Sequence, residues 1–376
     1  MKKTKSSKKL RLFLILCISL FMGIVYSADT FLGQAFLYQI LPMQYLPQDQ
    51  VNLITTADFV MSTFNPMEIE QDIVYDRYIG IIDTSHQITV RRPNTSTSNT
   101  TARFFNYFSN YDREWLRDVN RLLNRFYSMD QSTGIIDYYF DIDYFIDTDF
   151  SIAVNSEVPQ VLIFHSHAAS EFFIDSANTH DLMEGVVGVG ATLANILATD
   201  YNLGVIHYKG VHDMLNGQVA RMGAYERIEL SIRRILEEHP TIEVIIDLHR
   251  DGVPATANRD NFRSYVDGRP TASIMFVNGV SAIKDSNGIR RLNHIPNPYL
   301  KDNLAFSFNL QMAAMNKFSE NFLRRIYLTP FRYINHLRPN SILLEVGTQL
   351  STKEEAHNAM IPFAEVLYAT VFSSNI

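Results

Sequence analysis

Cysteine is almost absent from this chain, which has 1 Cys among 376 residues. That residue, Cys17, lies within an apolar segment, so the rest of the chain contains no internal disulfide and no thiol nucleophile. A zinc site built on Cys ligands is excluded for the same reason. Any transition-metal site in this protein therefore uses histidine and carboxylate ligands.

Basic residues are also scarce once the first eleven positions are set aside. The chain has 33 Lys and Arg residues against 40 Asp and Glu, and six of the basic residues lie within positions 1–11. The remainder has a formal charge of −13, because 27 basic residues face 40 acidic ones. An acidic body argues against nucleic-acid binding, which needs a basic surface.

Several catalytic motifs are missing. The sequence contains no G-x-S-x-G nucleophile elbow, no H-E-x-x-H zinc helix and no G-x-x-x-x-G-K-[ST] phosphate loop. Gly188 and Gly190 resemble half of a dinucleotide fingerprint, but no third glycine follows at the required spacing. These absences argue against the corresponding serine hydrolases, metalloproteases, P-loop proteins and dinucleotide-binding enzymes.

Long hydrophobic runs are confined to the N-terminus. Residues 12–26 carry no charge and follow a lysine-rich start, the pattern of a secretory signal or an uncleaved signal anchor. We favour an anchor over residues 1–27, although Val25-Tyr26-Ser27 also resembles a weak cleavage site. Because basic residues keep their end of such a segment in the cytoplasm, the body of the protein is expected on the outer side of the cell membrane.

The rest of the chain is expected to form two regions. Residues 28–155 are rich in Phe, Tyr and Asp, include a polar linker near 93–102, and carry no catalytic signature, so we expect a positioning or partner-docking role. Residues 156–376 alternate short apolar runs with helical patterns, which predicts an α/β fold with a mainly parallel sheet and helices on both faces. The predicted strands are 161–164, 203–207, 242–248, 273–277 and 341–344, and the predicted helices are 184–199, 218–238, 301–325 and 353–373.

Polar side chains with metal-binding or catalytic chemistry follow three of these strands. Because sites in open α/β sheets form at the carboxyl ends of strands, we expect the three groups to meet in one crevice. The alternative is that they are unrelated polar residues at strand ends. The groups are His165-Ser166-His167 with Glu171, Asp247-Leu248-His249-Arg250-Asp251, and Glu345.

Two histidines and a carboxylate form a common ligand set for catalytic zinc, which keeps a further position open for water. We therefore predict that His167, Glu171 and His249 bind zinc and that Glu345 is the general base, its pKa raised by desolvation.

Further roles near the site are predicted for four residues. Asp247 would accept the second imidazole N–H of His249, Arg250 would pair with Asp251 or polarise a substrate carbonyl, and His212 would line the site or hold its loop.

The order of these motifs resembles the stage II sporulation protein P family. VLIFHSHAASEFF, KGVHD, AYERIELSIRRIL, VIIDLHRDGV and NSILLEVG follow one another from about residue 149 to the C-terminus. The resemblance implies a zinc-dependent N-acetylmuramoyl-L-alanine amidase, and some relatives also act as endopeptidases. It further implies that the enzyme thins septal peptidoglycan during sporulation and engulfment, together with stage II sporulation proteins D and M.

By the same resemblance, His167, Glu171 and His249 match the metal positions and Glu345 matches the catalytic glutamate. The motif leaves His165 open as an alternative ligand, and we prefer His167 because four residues separate it from Glu171. The sequence departs from the family pattern at Phe172-Phe173 and at residues 348–351. Both segments are expected at the rim of the site, so the departures bear on substrate preference and not on metal binding. The rival hypotheses are a zinc endopeptidase acting on stem-peptide cross-links and a non-catalytic, membrane-anchored wall-binding scaffold.

Overall fold

The computed structural model describes residues 112–318 and 320–372 of the chain. The predicted anchor over residues 1–27 and the predicted linker near 93–102 lie outside these residues. Within the described part of the chain, no helix combines the length and apolar character needed to cross a membrane.

The strands in the described part of the chain are β1 (Tyr127–Met129), β2 (Val161–Phe164), β3 (Val205–His207), β4 (Met214–Leu215), β5 (Gln218–Val219), β6 (Val244–Asp251), β7 (Arg263–Val266), β8 (Arg269–Ala272), β9 (Ile274–Gly279), β10 (Ala282–Asp285), β11 (Gly288–Arg291), β12 (Ile326–Thr329) and β13 (Ser341–Thr348). Seven of these strands form a central sheet in the order β1-β12-β9-β13-β6-β2-β3. Five of its six neighbouring pairs are parallel and only β13–β9 is antiparallel, so the predicted mainly parallel sheet is confirmed. The other six strands form three two-stranded hairpins outside this sheet, β4–β5, β7–β8 and β10–β11.

Helices cover both faces of the sheet, as the uninterrupted apolar strand β2 predicts. The α-helices in the described residues are α1 (Arg113–Leu116), α2 (Val119–Phe126), α3 (Ile142–Asp147), α4 (Val186–Thr199), α5 (Ala224–Glu238), α6 (Leu300–Lys317) and α7 (Lys353–Val371). Val161 and Ile163 of β2 pack into one core with α4, α6 and α7, whereas Leu162 and Phe164 pack into a second core with α5.

Helix α5 starts six residues later than the sequence pattern predicts. Gln218 and Val219 form strand β5, which pairs with β4 across a turn at Asn216-Gly217. Both turn residues have positive φ, of 51° and 76°. Asn-Gly is the preferred pair for such a two-residue hairpin turn, and this local signal takes precedence over the apolar periodicity.

The predicted boundary between residues 155 and 156 does not separate two hydrophobic cores. Strand β1 is the edge strand of the central sheet and pairs with β12. Phe126 and Phe145, which precede the predicted boundary, are buried in the same core as α6, and both rings contact Phe308. The globular unit therefore includes residues 113–150, because their aromatic side chains are needed to cover α6.

The arrangement of β2, β6 and β13 places the predicted site residues at one edge of the sheet. These strands are adjacent and parallel, with Phe164 opposite Asp247 and His249 opposite Glu345. Side chains alternate between the two faces along a strand, so Asp247, His249 and Glu345 all point to the face covered by α5.

Candidate metal centre

Three side chains from distant parts of the chain meet at the carboxyl edge of the parallel strands. His167, Glu171 and His249 each offer one ligand atom, and these atoms all lie within 4.8 Å of one another. Nδ1 of His249 is 3.2 Å from Oε2 of Glu171, and the rings of the two histidines are 5.2 Å apart. The structure thus brings together the three residues predicted as ligands.

The donor set and its surroundings fit a zinc ion. Two imidazoles and one carboxylate are typical ligands of catalytic zinc, which also needs an open position. Nδ1 of His167 is buried and has no hydrogen-bond partner among the described residues, while its side chain is only partly buried. A buried nitrogen without a hydrogen-bond partner is a favourable metal ligand, because binding a cation compensates its lost hydration.

The Glu171 carboxylate is fixed through both of its oxygens. Oε1 accepts a hydrogen bond of 2.8 Å from the guanidinium of Arg221, and Oε2 accepts one of 3.0 Å from the backbone N–H of Arg250. Burial by itself raises the pKa of Glu171, but the neighbouring His249, His167 and Arg221 together outweigh burial and lower this pKa to about 2. The carboxylate is therefore ionised, as a ligand must be.

Asp247 holds the two ligand-bearing segments together. Its carboxylate accepts hydrogen bonds from the backbone N–H of Ser166 at 2.9 Å and from the Ser166 hydroxyl at 2.6 Å. Oδ1 of Asp247 also lies 2.8 Å from Nε2 of His249. Burial lowers the pKa of His249, but Asp247 and Glu171 outweigh it and raise this pKa well above its ordinary value.

Glu345 lies beside the cluster on the neighbouring strand. Its side chain is partly exposed, yet Oε2 is buried and has no hydrogen-bond partner in the described part of the chain. Desolvation raises the pKa of Glu345 to about 8, the direction predicted from the aliphatic residues that precede it. A carboxyl group with a pKa near neutrality can both accept and return a proton.

The buried carboxyl of Glu345 gives a testable effect on stability in the metal-free protein. A pKa raised in the folded state means that stability falls as pH rises from the ordinary pKa to the raised one. We therefore compare the free energy of unfolding of Glu345→Gln with that of the parent at two pH values. The difference should shift in favour of the variant by on the order of 1–3 kcal/mol between about pH 5 and about pH 8.5. Urea unfolding in the presence of EDTA measures the difference, and a gap that does not change with pH would contradict the burial argument.

Arg250 holds the loop that carries Glu171, and only one of its two predicted roles, the ion pair with Asp251, is contradicted by the structure. Its other predicted role, polarising a substrate carbonyl, stays a prediction. Its Nε donates a 2.9 Å hydrogen bond to the backbone carbonyl of Phe172, next to Glu171. The predicted ion pair with Asp251 is wrong, because the Asp251 carboxylate pairs with Arg324 at 2.6 Å and Arg250 reaches only the Asp251 backbone carbonyl. Strand alternation separates the side chains of residues 250 and 251, which explains the difference.

His165 does not join the cluster, so its role as an alternative ligand is not supported. Its Nδ1 is 2.7 Å from the carbonyl oxygen of Leu248, and its Nε2 is 2.9 Å from Nε2 of His207. Desolvation lowers the pKa of His165 to about 4, which keeps the ring neutral. A Cβ on Gly190 would lie 2.6 Å from the His165 ring, so this glycine is needed for the close approach of α4.

The loop that follows β3 is held by His212 and Asp213. Nε2 of His212 is 2.9 Å from the hydroxyl of Tyr208, and the backbone carbonyl of His212 accepts from Arg227. Asp213 is buried and accepts a 3.1 Å hydrogen bond from the backbone N–H of Ala169, in the loop between His167 and Glu171. Of the two predicted roles for His212, the structure shows the loop-holding one.

Two residues at the site were not predicted from the sequence. Arg221 gives no local signal, because it follows a hairpin and contacts Glu171 only in the folded protein. The ring of Tyr225 lies 5.4 Å from that of His167 and stacks 6.4 Å from that of His249. Its position in the first turn of α5 is the feature that could have identified it, since that helix end lies over the carboxyl edge of the sheet.

The contact between Arg221 and Glu171 predicts an effect on metal binding. We expect Arg221→Ala to weaken zinc binding by roughly 10–100-fold, because residues that orient ligands contribute about this much to metal affinity. Competition with a chelator measures the change. Arg233→Ala is the matched control, since Arg233 pairs with Glu229 on the exposed side of α5. Equal zinc affinities in the parent and in Arg221→Ala would contradict the proposed role.

Together, the fold and the cluster define an α/β protein with a two-histidine, one-carboxylate centre suited to zinc, and with a carboxyl group of raised pKa beside it. A family model for stage II sporulation protein P (SpoIIP) matches residues 86–368. The chain belongs to the SpoIIP family, and the resemblance seen in its sequence motifs is confirmed.

Comparison with solved structures gives similarities of low identity. The N-acetylmuramyl-L-alanine amidase Ami1 from Mycobacterium smegmatis matches with 10% identity and a TM-score of 0.34, over 60% of this chain and 99% of that one. The CwlD amidase from Clostridioides difficile, solved in complex with the GerS lipoprotein, matches with 12% identity and a TM-score of 0.32, over 57% of this chain and 95% of that one. No curated protein matches the sequence.

Proposed function

We propose that this protein is a zinc-dependent peptidoglycan hydrolase that cleaves the amide bond between N-acetylmuramic acid and the L-alanine of the stem peptide. The observation that carries this proposal is the cluster of His167, Glu171 and His249 with Glu345 on the adjacent strand. Membership of the SpoIIP family supports a role in wall hydrolysis during sporulation and engulfment.

Each residue of the site has a distinct task. His167, Glu171 and His249 would hold the zinc ion, which when bound lowers the pKa of water and polarises a carbonyl group. Glu345 takes a proton from the attacking water and delivers it to the leaving amine. Asp247 and Ser166 keep the segment carrying His167 against β6, and Arg250 and Arg221 fix the carboxylate of Glu171.

The cellular setting of this activity is part of the proposal. Residues 1–27 would anchor the protein in the cell membrane with the catalytic domain outside, in reach of peptidoglycan. Stage II sporulation proteins D and M are the proposed partners in engulfment. The region upstream of the globular unit would position the enzyme or dock a partner, so its removal should impair action in cells while soluble wall fragments are still hydrolysed.

Hydrolysis of purified cell wall tests the proposal. The full chain should release dye from labelled peptidoglycan, and a chelator should abolish the release. Product analysis separates the rival activities: glycan strands without peptides identify an amidase, whereas cut cross-links with stems still attached identify an endopeptidase. A protein that binds wall but neither hydrolyses it nor takes up zinc would be a scaffold, and the proposal would fail.

A further inference from the structure

A cavity of about 360 Å³ lies beside the β7–β8 hairpin, away from the metal ligands in sequence. It is open to solvent, so a ligand held there would be only partly enclosed. We call it the β7–β8 cavity, and nothing in the proposed mechanism uses it. The residues that line it are Asp260, Arg263, Ser264, Tyr265 and Asn321.

A first chain of contacts connects the β7–β8 cavity to the strand that carries His249. Asp251, the last residue of β6, forms a 2.6 Å ion pair with Arg324. The Arg324 guanidinium lies 5.1 Å from the centre of the Phe262 ring, and Phe262 directly precedes β7. Two side-chain contacts therefore link the end of β6 to Phe262, the neighbour in sequence of Arg263, which lines the cavity.

A second chain of contacts reaches the strand that carries Glu345. The backbone N–H of Gly347 donates a 2.9 Å hydrogen bond to the carbonyl of Ser273. The Ser273 hydroxyl in turn donates a 2.6 Å hydrogen bond to the carbonyl of Asn321, which lines the cavity. Because both chains begin within two residues of a site residue, the cavity lies at the same edge of the sheet as the candidate metal centre.

The side chains of the β7–β8 cavity are held in place. Arg263 pairs with Asp260 at 2.6 Å and lies 3.7 Å from the buried carboxylate of Glu355. Its guanidinium is 5.7 Å from the centre of the Tyr265 ring. Tyr265 is nevertheless 61% exposed, so part of its aromatic surface is open to a ligand.

The charges of the cavity select the class of ligand. Arg263 and Asp260 compensate each other, so the lining has hydrogen-bond donors and acceptors but no uncompensated charge. A phosphate or an acidic peptide requires an excess of cationic groups, whereas a neutral polyol needs paired polar groups. An exposed aromatic ring adds a flat apolar surface against which the C–H face of a sugar ring can pack.

We propose that the β7–β8 cavity binds a sugar ring of the glycan strand while the stem peptide lies at the metal centre. The inference rests on the proposed function, since that function makes a saccharide the neighbour of the bond to be cut. It assigns Tyr265 and Arg263 to substrate binding, with Tyr265 packing against the sugar and Arg263 and Asp260 offering hydrogen bonds.

Binding to glycan chains stripped of their peptides tests this inference. The full chain carrying Glu345→Gln is used, so hydrolysis does not interfere with the measurement. Adding Tyr265→Ala should weaken binding by roughly threefold to tenfold, the range expected for one lost aromatic contact. Tyr138→Ala is the matched control, because Tyr138 is 69% exposed and also lies beside a cation, Lys301.

The outcomes separate this inference from the proposed function. Equal glycan binding by the Tyr265→Ala and Tyr138→Ala proteins would overturn the sugar subsite, even if the parent hydrolyses wall. Weakened binding of free stem peptide, with glycan binding unchanged, would overturn it as well. A parent protein without hydrolytic activity that still binds glycan through Tyr265 would refute the proposed function and leave the sugar subsite supported.

Discussion

Replacing Glu345 by glutamine is expected to lower the rate of wall hydrolysis by roughly 10²–10⁴-fold, the contribution typical of a positioned general base. Glutamine keeps the size and the hydrogen-bonding oxygen of the side chain but cannot take up the proton. Because Glu345 is not among the three clustered ligands, zinc content should stay equal to that of the parent. Dye release from labelled peptidoglycan and metal analysis of the same preparation measure the two quantities.

The matched control for this variant is Glu365→Gln. Glu365 forms an exposed ion pair with Lys317 at the surface, and such pairs contribute little to stability or function. It should hydrolyse wall at the parental rate. If Glu345→Gln is as active as this control, Glu345 is not the general base.

Replacing His167 by alanine is expected to weaken zinc binding by more than about 100-fold, beyond the effect typical of residues that only orient ligands. Hydrolysis should be lost with the metal. His167 is the most informative ligand to remove, because its Nδ1 has no hydrogen-bond partner within the described residues and its loss breaks no internal bond. By contrast, His249 lies between the carboxylates of Asp247 and Glu171, so its removal would take a cationic partner away from two buried carboxylates.

Zinc affinity, thermal unfolding and dye release should be measured on the same His167→Ala protein. We expect a metal-free melting temperature close to the parental one together with loss of zinc binding. His180→Ala is the control, since His180 is exposed and lies outside the cluster. Parental zinc affinity in His167→Ala would show that the metal centre has been assigned to the wrong residues.

Most of the central elements could be predicted from the sequence because their apolar patterns are local. The runs ending at Phe164, Leu248 and Leu344 are each found in strands of the central sheet. Strands β1 and β12 were missed, since three or four residues beside helical patterns give too little periodic signal. The late start of α5 has a different reason: the Asn216-Gly217 pair forms a hairpin turn, which keeps Gln218 and Val219 out of the helix although the residues after them have helical periodicity.

The sequence by itself determined the candidate ligands, since the near-absence of cysteine left only His, Asp and Glu, and the strand pattern placed them at strand ends. Only the tertiary structure decided their partners. It directed His165 towards His207, Asp251 towards Arg324 and Arg221 towards Glu171. The physical reason is that the end of a strand fixes only the position and direction of a side chain. The partner of that side chain comes from another element, and the packing of helices and hairpins on the sheet sets the distance and orientation of that element.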